Sequence, residues 1–112
     1  MADLMFFDTQ ALTRLVERCF DLSMSGAVPA EARAQFLTEG KRLRELLMRA
    51  LGARFDAGSA DFQKASTALQ QTNKALDEAA NDMAKVVQVV GTIGQVVGYL
   101  DQALSLAAKA AT

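Results

Sequence analysis

An apolar residue recurs at every seventh position from Phe62 onward: Phe62, Leu69, Leu76, Met83, Val90, Val97, Leu104 and Ala111. Three residues after each of these, up to Leu104, stands a second series of mostly smaller residues: Ala65, Thr72, Ala79, Val86, Ile93, Leu100 and Ala107. The two series form an a/d heptad, which lays both on one stripe of an α-helix. From Ser59 to Lys85 the pattern is that of an ordinary amphipathic helix. Gln63, Lys64, Gln70, Gln71, Lys74, Asp77, Glu78 and Asp82 point away from the stripe. Past Lys85 the character changes. Val86 to Leu100 carries no charge, and only Asp101 and Lys109 are charged from there to the end.

Gly91, Gly94 and Gly98 interrupt this segment. Each costs a helix interior about 1 kcal/mol relative to alanine, so something must offset them. One reading is a break at Gly91-Thr92-Ile93-Gly94, with a fourth helix from about Gln95 to Ala110. The other is one continuous helix of about 52 residues, roughly 78 Å long. A loop usually resets the heptad register, yet Met83, Val90, Val97 and Leu104 keep it across the glycines. A strict seven-residue repeat also favours supercoiling, which supports continuity. The expected architecture is therefore all-α, a single helical domain over residues 1–112. It is an antiparallel bundle of three helices with a long C-terminal heptad helix. The alternative is a four-helix bundle broken near Gly91–Gly94.

A continuous helix gives the glycines a packing role. Ala80, Ala84, Val87, Gly91, Gly94, Gly98, Ser105 and Ala108 form a second stripe beside the heptad seam, and Gly94 to Gly98 reads G-x-x-x-G. Small residues at this spacing let another helix backbone come close. The candidate interaction face is Ala84, Val87, Gly91, Gly94, Gly98 and Asp101. Its expected partner is a second copy of the chain, since homodimers are the commonest oligomers. The segment is expected to be covered on two sides, by an earlier helix and by that second copy.

The first half predicts two shorter helices. Leu12, Leu15, Cys19 and Leu22, widened by Val16 and Phe20, mark a first helix over about Leu4 to Met24, capped by Asp3 or Asp8. Ser23 to Gly26 ends it. A second helix starts at Pro29 and runs to Leu51 or Phe55, with Phe36, Gly40, Leu43, Leu47 and Ala50 on its apolar face. Arg33, Lys41, Arg42, Arg44, Arg49 and Arg54 outnumber Glu31, Glu39 and Glu45 on this helix, whereas the first 25 residues are net acidic. These opposite faces are expected to be solvated and only weakly complementary. Gly52 to Gly58 is a turn, and Ser59 is placed to cap the helix that follows.

Composition narrows the function. The chain has 112 residues, 51% of them apolar, and a net charge of −1. That gives enough apolar material for one core and no field to recruit nucleic acid. The N-terminal apolar run Leu4–Phe7 is short and flanked by Asp3 and Asp8, unlike a secretory signal. The expected location is cytoplasmic, with export by a specialised machine left open. There is no histidine and no tryptophan. Cys19 has no histidine to activate it and lies on an apolar stripe, so it reads as core. Asp77, Glu78 and Asp82 lack the spacing of a bundle metal site and read as a solvated face. Asp101 reads as an exposed edge. No catalytic residue, metal site or cofactor is expected, and the chain is read as not an enzyme. The size and paired helices resemble small secreted helical hairpin proteins in outline. The W-x-G turn typical of one such group has no counterpart between Gly52 and Phe62, so nothing is carried over. The leading expectation is a non-enzymatic helical interaction module that self-associates through its C-terminal helix. The second is a membrane-active or secreted helical protein using the apolar segment 86–108. That segment reaches spanning length only by including Asp101.

Overall fold

The computed structural model describes residues 4–79 and 82–111, with the side chains of Ala110 and Ala111 outside the description. It is mostly helical. The elements are β1 (Leu4–Met5), α1 (Thr9–Ser23), α2 (Ala30–Ala50), β2 (Phe55–Asp56), α3 (Ala60–Ala79) and α4 (Met83–Ala111). β1 and β2 pair antiparallel, Leu4 opposite Asp56 and Met5 opposite Phe55.

The first helix does not reach back to Leu4. Asp8 starts it instead: its carboxylate accepts the Ala11 N–H at 3.0 Å, and its carbonyl accepts from Leu12. That satisfies an otherwise orphaned donor of the first turn, so the residues upstream are free to extend. They do so as β1, followed by Phe7, which is buried against Phe55 and Phe62 with ring centroids 5.4–6.1 Å apart across the trio. These three rings tie the N-terminal strand, the ribbon and the start of α3 into one apolar cluster. Asp3, the other candidate cap, lies outside the described residues.

α2 begins immediately after Pro29, whose backbone is extended at φ −55° and ψ 146°. The helix stops at Ala50, short of the expected Leu51 or Phe55. Leu51 is already extended, and Gly52 takes φ +81°, a conformation that glycine adopts without strain. The turn therefore contains a strand, and Phe55 is core. Ser59 caps α3, accepting the Phe62 N–H on its hydroxyl at 3.2 Å.

The expected continuous C-terminal helix is corrected. It is two helices, and the chain reverses between Ala79 and Met83 rather than at the glycines. Asp82 explains the placement. Its N–H donates to the Ala79 carbonyl at 2.7 Å, closing α3, and its carbonyl accepts from Val86 at 3.0 Å, opening α4. Its carboxylate lies 3.4 Å from the Lys85 nitrogen in a long capping bond. An aspartate competes with the backbone inside a helix and favours this position at its start. α3 and α4 then pack side by side, with Lys64 reaching to 6.0 Å from the Tyr99 ring centroid. The four-helix alternative has the right number of helices but the wrong break, because Gly91, Gly94 and Gly98 all lie inside α4.

The reversal keeps the second series in register but changes which residues are buried beside it. In α3 the buried positions include both heptad series, Phe62, Leu69 and Leu76 with Ala65, Thr72 and Ala79. In α4 the second series stays buried at Val86, Ile93 and Leu100. Its companions are now Val89, Val96 and Ala103, while of the first series Met83, Val90 and Val97 are only half-buried and Leu104 is buried. At 100° per residue the buried stripe has turned by about 60°. Valines on a wide arc of α4 make the shift invisible to a count of apolar residues.

α1 packs on α2, α3 on α4, α2 on α4 and α1 on α3. Leu12, Leu15, Val16 and Cys19 of α1 meet Ala32, Phe36, Gly40, Leu43 and Leu46 of α2 in one core. The charges do not link α1 to α2. Among the described residues, Arg18 of α1 pairs with Asp77 of α3, and Arg49 of α2 pairs with Asp101 of α4 at 3.3 Å. Arg18 also donates to the Asn73 carbonyl, and the buried Asn73 amide donates to the Ala11 carbonyl at 3.1 Å. The Arg18 guanidinium holds the Asp77 carboxyl below its ordinary value of 3.8, through a hydrogen bond and its charge. The depressed value means the folded state favours the ionised acid. Stability from this pair is present at neutral pH and is lost as pH falls below about 4, through the folded value. Asp77→Asn should accordingly lower the unfolding midpoint at pH 7 more than at pH 3, read by thermal melts at the two pH values.

Candidate functional site

The structure places the expected interaction face along the outer side of α4. Ala84, Gly91, Gly94, Gly98 and Asp101 are exposed and Val87 is half-buried. Ser105 and Ala108 continue the stripe, and Ala80 lies outside the described residues. α2 and α3 cover the opposite side of the helix. A Cβ built on Gly91, Gly94 or Gly98 would meet nothing within 4 Å. No packing among the described residues therefore accounts for the three glycines, although they sit mid-helix where each is unfavourable. Gly40 is the contrast. A Cβ there would lie 3.1 Å from the Cys19 Cβ and 3.5 Å from the Phe20 ring, so this glycine lets α1 and α2 approach closely.

One feature of the outer face was legible as spacing but is recognised only in three dimensions. Gln88, Gln95 and Gln102 recur every seven residues and are all exposed, bordering the glycine stripe on the side toward α3. Amides at that border can donate and accept across a helix–helix contact without bringing a charge into it. Asp101, at the far end, is exposed and carries the Arg49 ion pair.

The carboxylates near the end of α3 and at the start of α4 are engaged elsewhere. Asp77 pairs with Arg18, Glu78 with Lys74 at 3.8 Å, and Asp82 caps α4. Cys19 is fully buried, and burial reinforced by the nearby Glu39 pushes its thiol up to about 12 from an ordinary 9.0. A neutral thiol is a poor nucleophile. Native Cys19 should react with a maleimide far more slowly than in denaturant, and equal rates would contradict its burial. The raised value also carries a sign. The unfolded thiol ionises above about pH 9 while the folded one does not, so the folded state loses stability as pH climbs from there toward 12.

α4 has a further property. Between Met83 and Lys109 it is long and apolar enough to cross a membrane by length and composition, and 28% of its most apolar window is buried in the fold. Comparison of the chain with known protein families, curated proteins and solved structures finds no match.

Proposed function

We propose that this protein is a non-enzymatic helical interaction module whose helices act as one bundle and which pairs with a second copy of itself through α4. The observation that carries the reading is the open backbone at Gly91, Gly94 and Gly98. Their combined propensity cost is about 3 kcal/mol, and no Cβ contact among the described residues would account for it. A second helix seated there would gain close backbone packing, with Gln88, Gln95 and Gln102 as a hydrogen-bonding border. The test is sedimentation equilibrium on the wild type and on Gly94→Leu. The wild type should be dimeric, and the bulky leucine should weaken the dimer about tenfold or more. Helix content should hold, because a Cβ at Gly94 meets nothing within 4 Å among the described residues and leucine is the better helix former. A monomeric wild type at high concentration would remove the reading.

A second reading is favoured by the length and low burial of apolar α4. In it, the helical fold opens and α4 enters a bilayer. Co-sedimentation with phosphatidylglycerol vesicles separates the two, since a pairing module stays in the supernatant as a dimer.

A further inference from the structure

Beyond the glycines, near its C-terminal end, α4 forms one wall of a cleft of about 600 Å³. The other walls come from the end of α2, the turn after it and β1. Leu104, Ala107 and Ala108 face Ala53 across it, and Leu4 stands at its edge, 61% exposed. Two side chains break this apolar lining, Arg49 and Arg54. Among the described residues, no acidic side chain and no neutral hydrogen-bonding side chain lines it. The Arg54 guanidinium lies 5.8 Å from the Phe6 ring centroid and has no carboxylate partner among the described residues. Arg49 is held by a single bond to Asp101 at 3.3 Å, which leaves further donors on a fork that carries five.

We infer that this cleft binds a single-chain anionic amphiphile of the fatty-acid class. The volume falls within the roughly 300–1,000 Å³ of small-molecule sites, and such sites combine apolar walls with a few placed polar groups. An alkyl tail matches walls of leucine and alanine, which offer it nothing to hydrogen-bond. A carboxylate matches the guanidiniums in charge and in planar two-point geometry. A cationic amphiphile meets only like charge here. A neutral one leaves Arg54 unanswered. Arg54 is the principal anchor, because Arg49 already has a partner. The cleft adjoins the pairing face proposed for α4, sharing Ala108 of the stripe and the Arg49 that pairs with Asp101, but none of Gly91, Gly94 and Gly98 lines it.

The protein has no tryptophan, so a conjugated polyene fatty acid serves as an extrinsic fluorescent probe. Its emission should rise and saturate at one probe per chain, and laurate below its micellar concentration should displace it. Decanoate, two methylenes shorter, should compete about tenfold less well. Lauryl alcohol, with the same tail and no charge, should compete about tenfold less well than laurate. Arg54→Gln, at an exposed position that leaves the fold intact, should lower probe affinity by about tenfold, whereas Arg44→Gln on the exposed face of α2 should not. Ala107→Trp, which fills the cleft, should abolish binding. Three outcomes would overturn the assignment: no saturable binding, equal competition by laurate and its alcohol, or equal affinity in wild type and Arg54→Gln.

Discussion

Truncating Phe36 to alanine is expected to cost about 3–5 kcal/mol, measured as the loss of unfolding free energy in urea. Phe36 lies at the centre of α2 with no exposed surface, packed in the same core as Leu12, Leu15 and Leu43. Removing its ring deletes most of the largest apolar side chain on that helix. It also leaves a cavity that two closely apposed helices cannot collapse to fill. The total stability of a domain is about 5–15 kcal/mol, so the variant should sit at the edge of folding. The same measurement grades the C-terminal stripe. Leu76→Ala should cost about 2–5 kcal/mol, because Leu76 is buried in α3. Met83→Ala should cost clearly less, since Met83 is half-buried at the start of α4. Equal losses at Leu76 and Met83 would mean that the buried stripe does not turn between the two helices.

Opposite signs are expected for glycine substitutions in α2 and α4. Gly40→Leu should destabilise by about 1–3 kcal/mol, since even the first added carbon comes within 3.1 Å of the Cys19 Cβ. The Cβ atom is anchored to the backbone of α1, so relief requires the two helices to separate. Gly91→Ala or Gly98→Ala should instead raise monomer stability by about 1 kcal/mol, the helix propensity of alanine over glycine with no clash to offset it. Denaturant unfolding at protein concentrations low enough to keep the chain monomeric reads both. Stabilisation by Gly40→Leu would mean that α1 and α2 are not in close contact. Destabilisation by Gly91→Ala at low concentration would mean that another part of the same chain covers α4.

Much of the local structure was legible in the residues. Ser59 caps α3 and Pro29 precedes α2 because both chemistries act within one turn of chain. Cys19 is buried because its neighbours at three and four residues are apolar. The candidate face was legible as a line of small residues, but its exposure was not, because small residues serve equally well inside a fold and outside it. Asp82 marked the start of α4, following Asn81 and standing three residues before Lys85, the last charge before the uncharged run Val86 to Leu100. The unbroken seven-residue count outweighed it, since that count treats every valine as equally buried. Leu4–Phe7 is a short contiguous apolar run with no helical period of its own, and the pairing of Leu4–Met5 with Phe55–Asp56 depends on residues about fifty positions away.

By itself, then, the amino-acid order determined that the chain is mostly helical, where Ser59 and the single proline, Pro29, set the starts of α3 and α2, and which residues can pass as core. Those outcomes depend on hydrogen bonds and side-chain spacing within a few residues. Tertiary structure decided that the C-terminal stretch folds back on itself and which arc of α4 faces inward. It also decided that Arg18 and Arg49 find acids on α3 and α4, and that the glycine face is left open. Each of these depends on total burial summed over elements far apart in the chain. Several apolar arcs of α4 satisfy the local pattern, and only the helices packed against it select one.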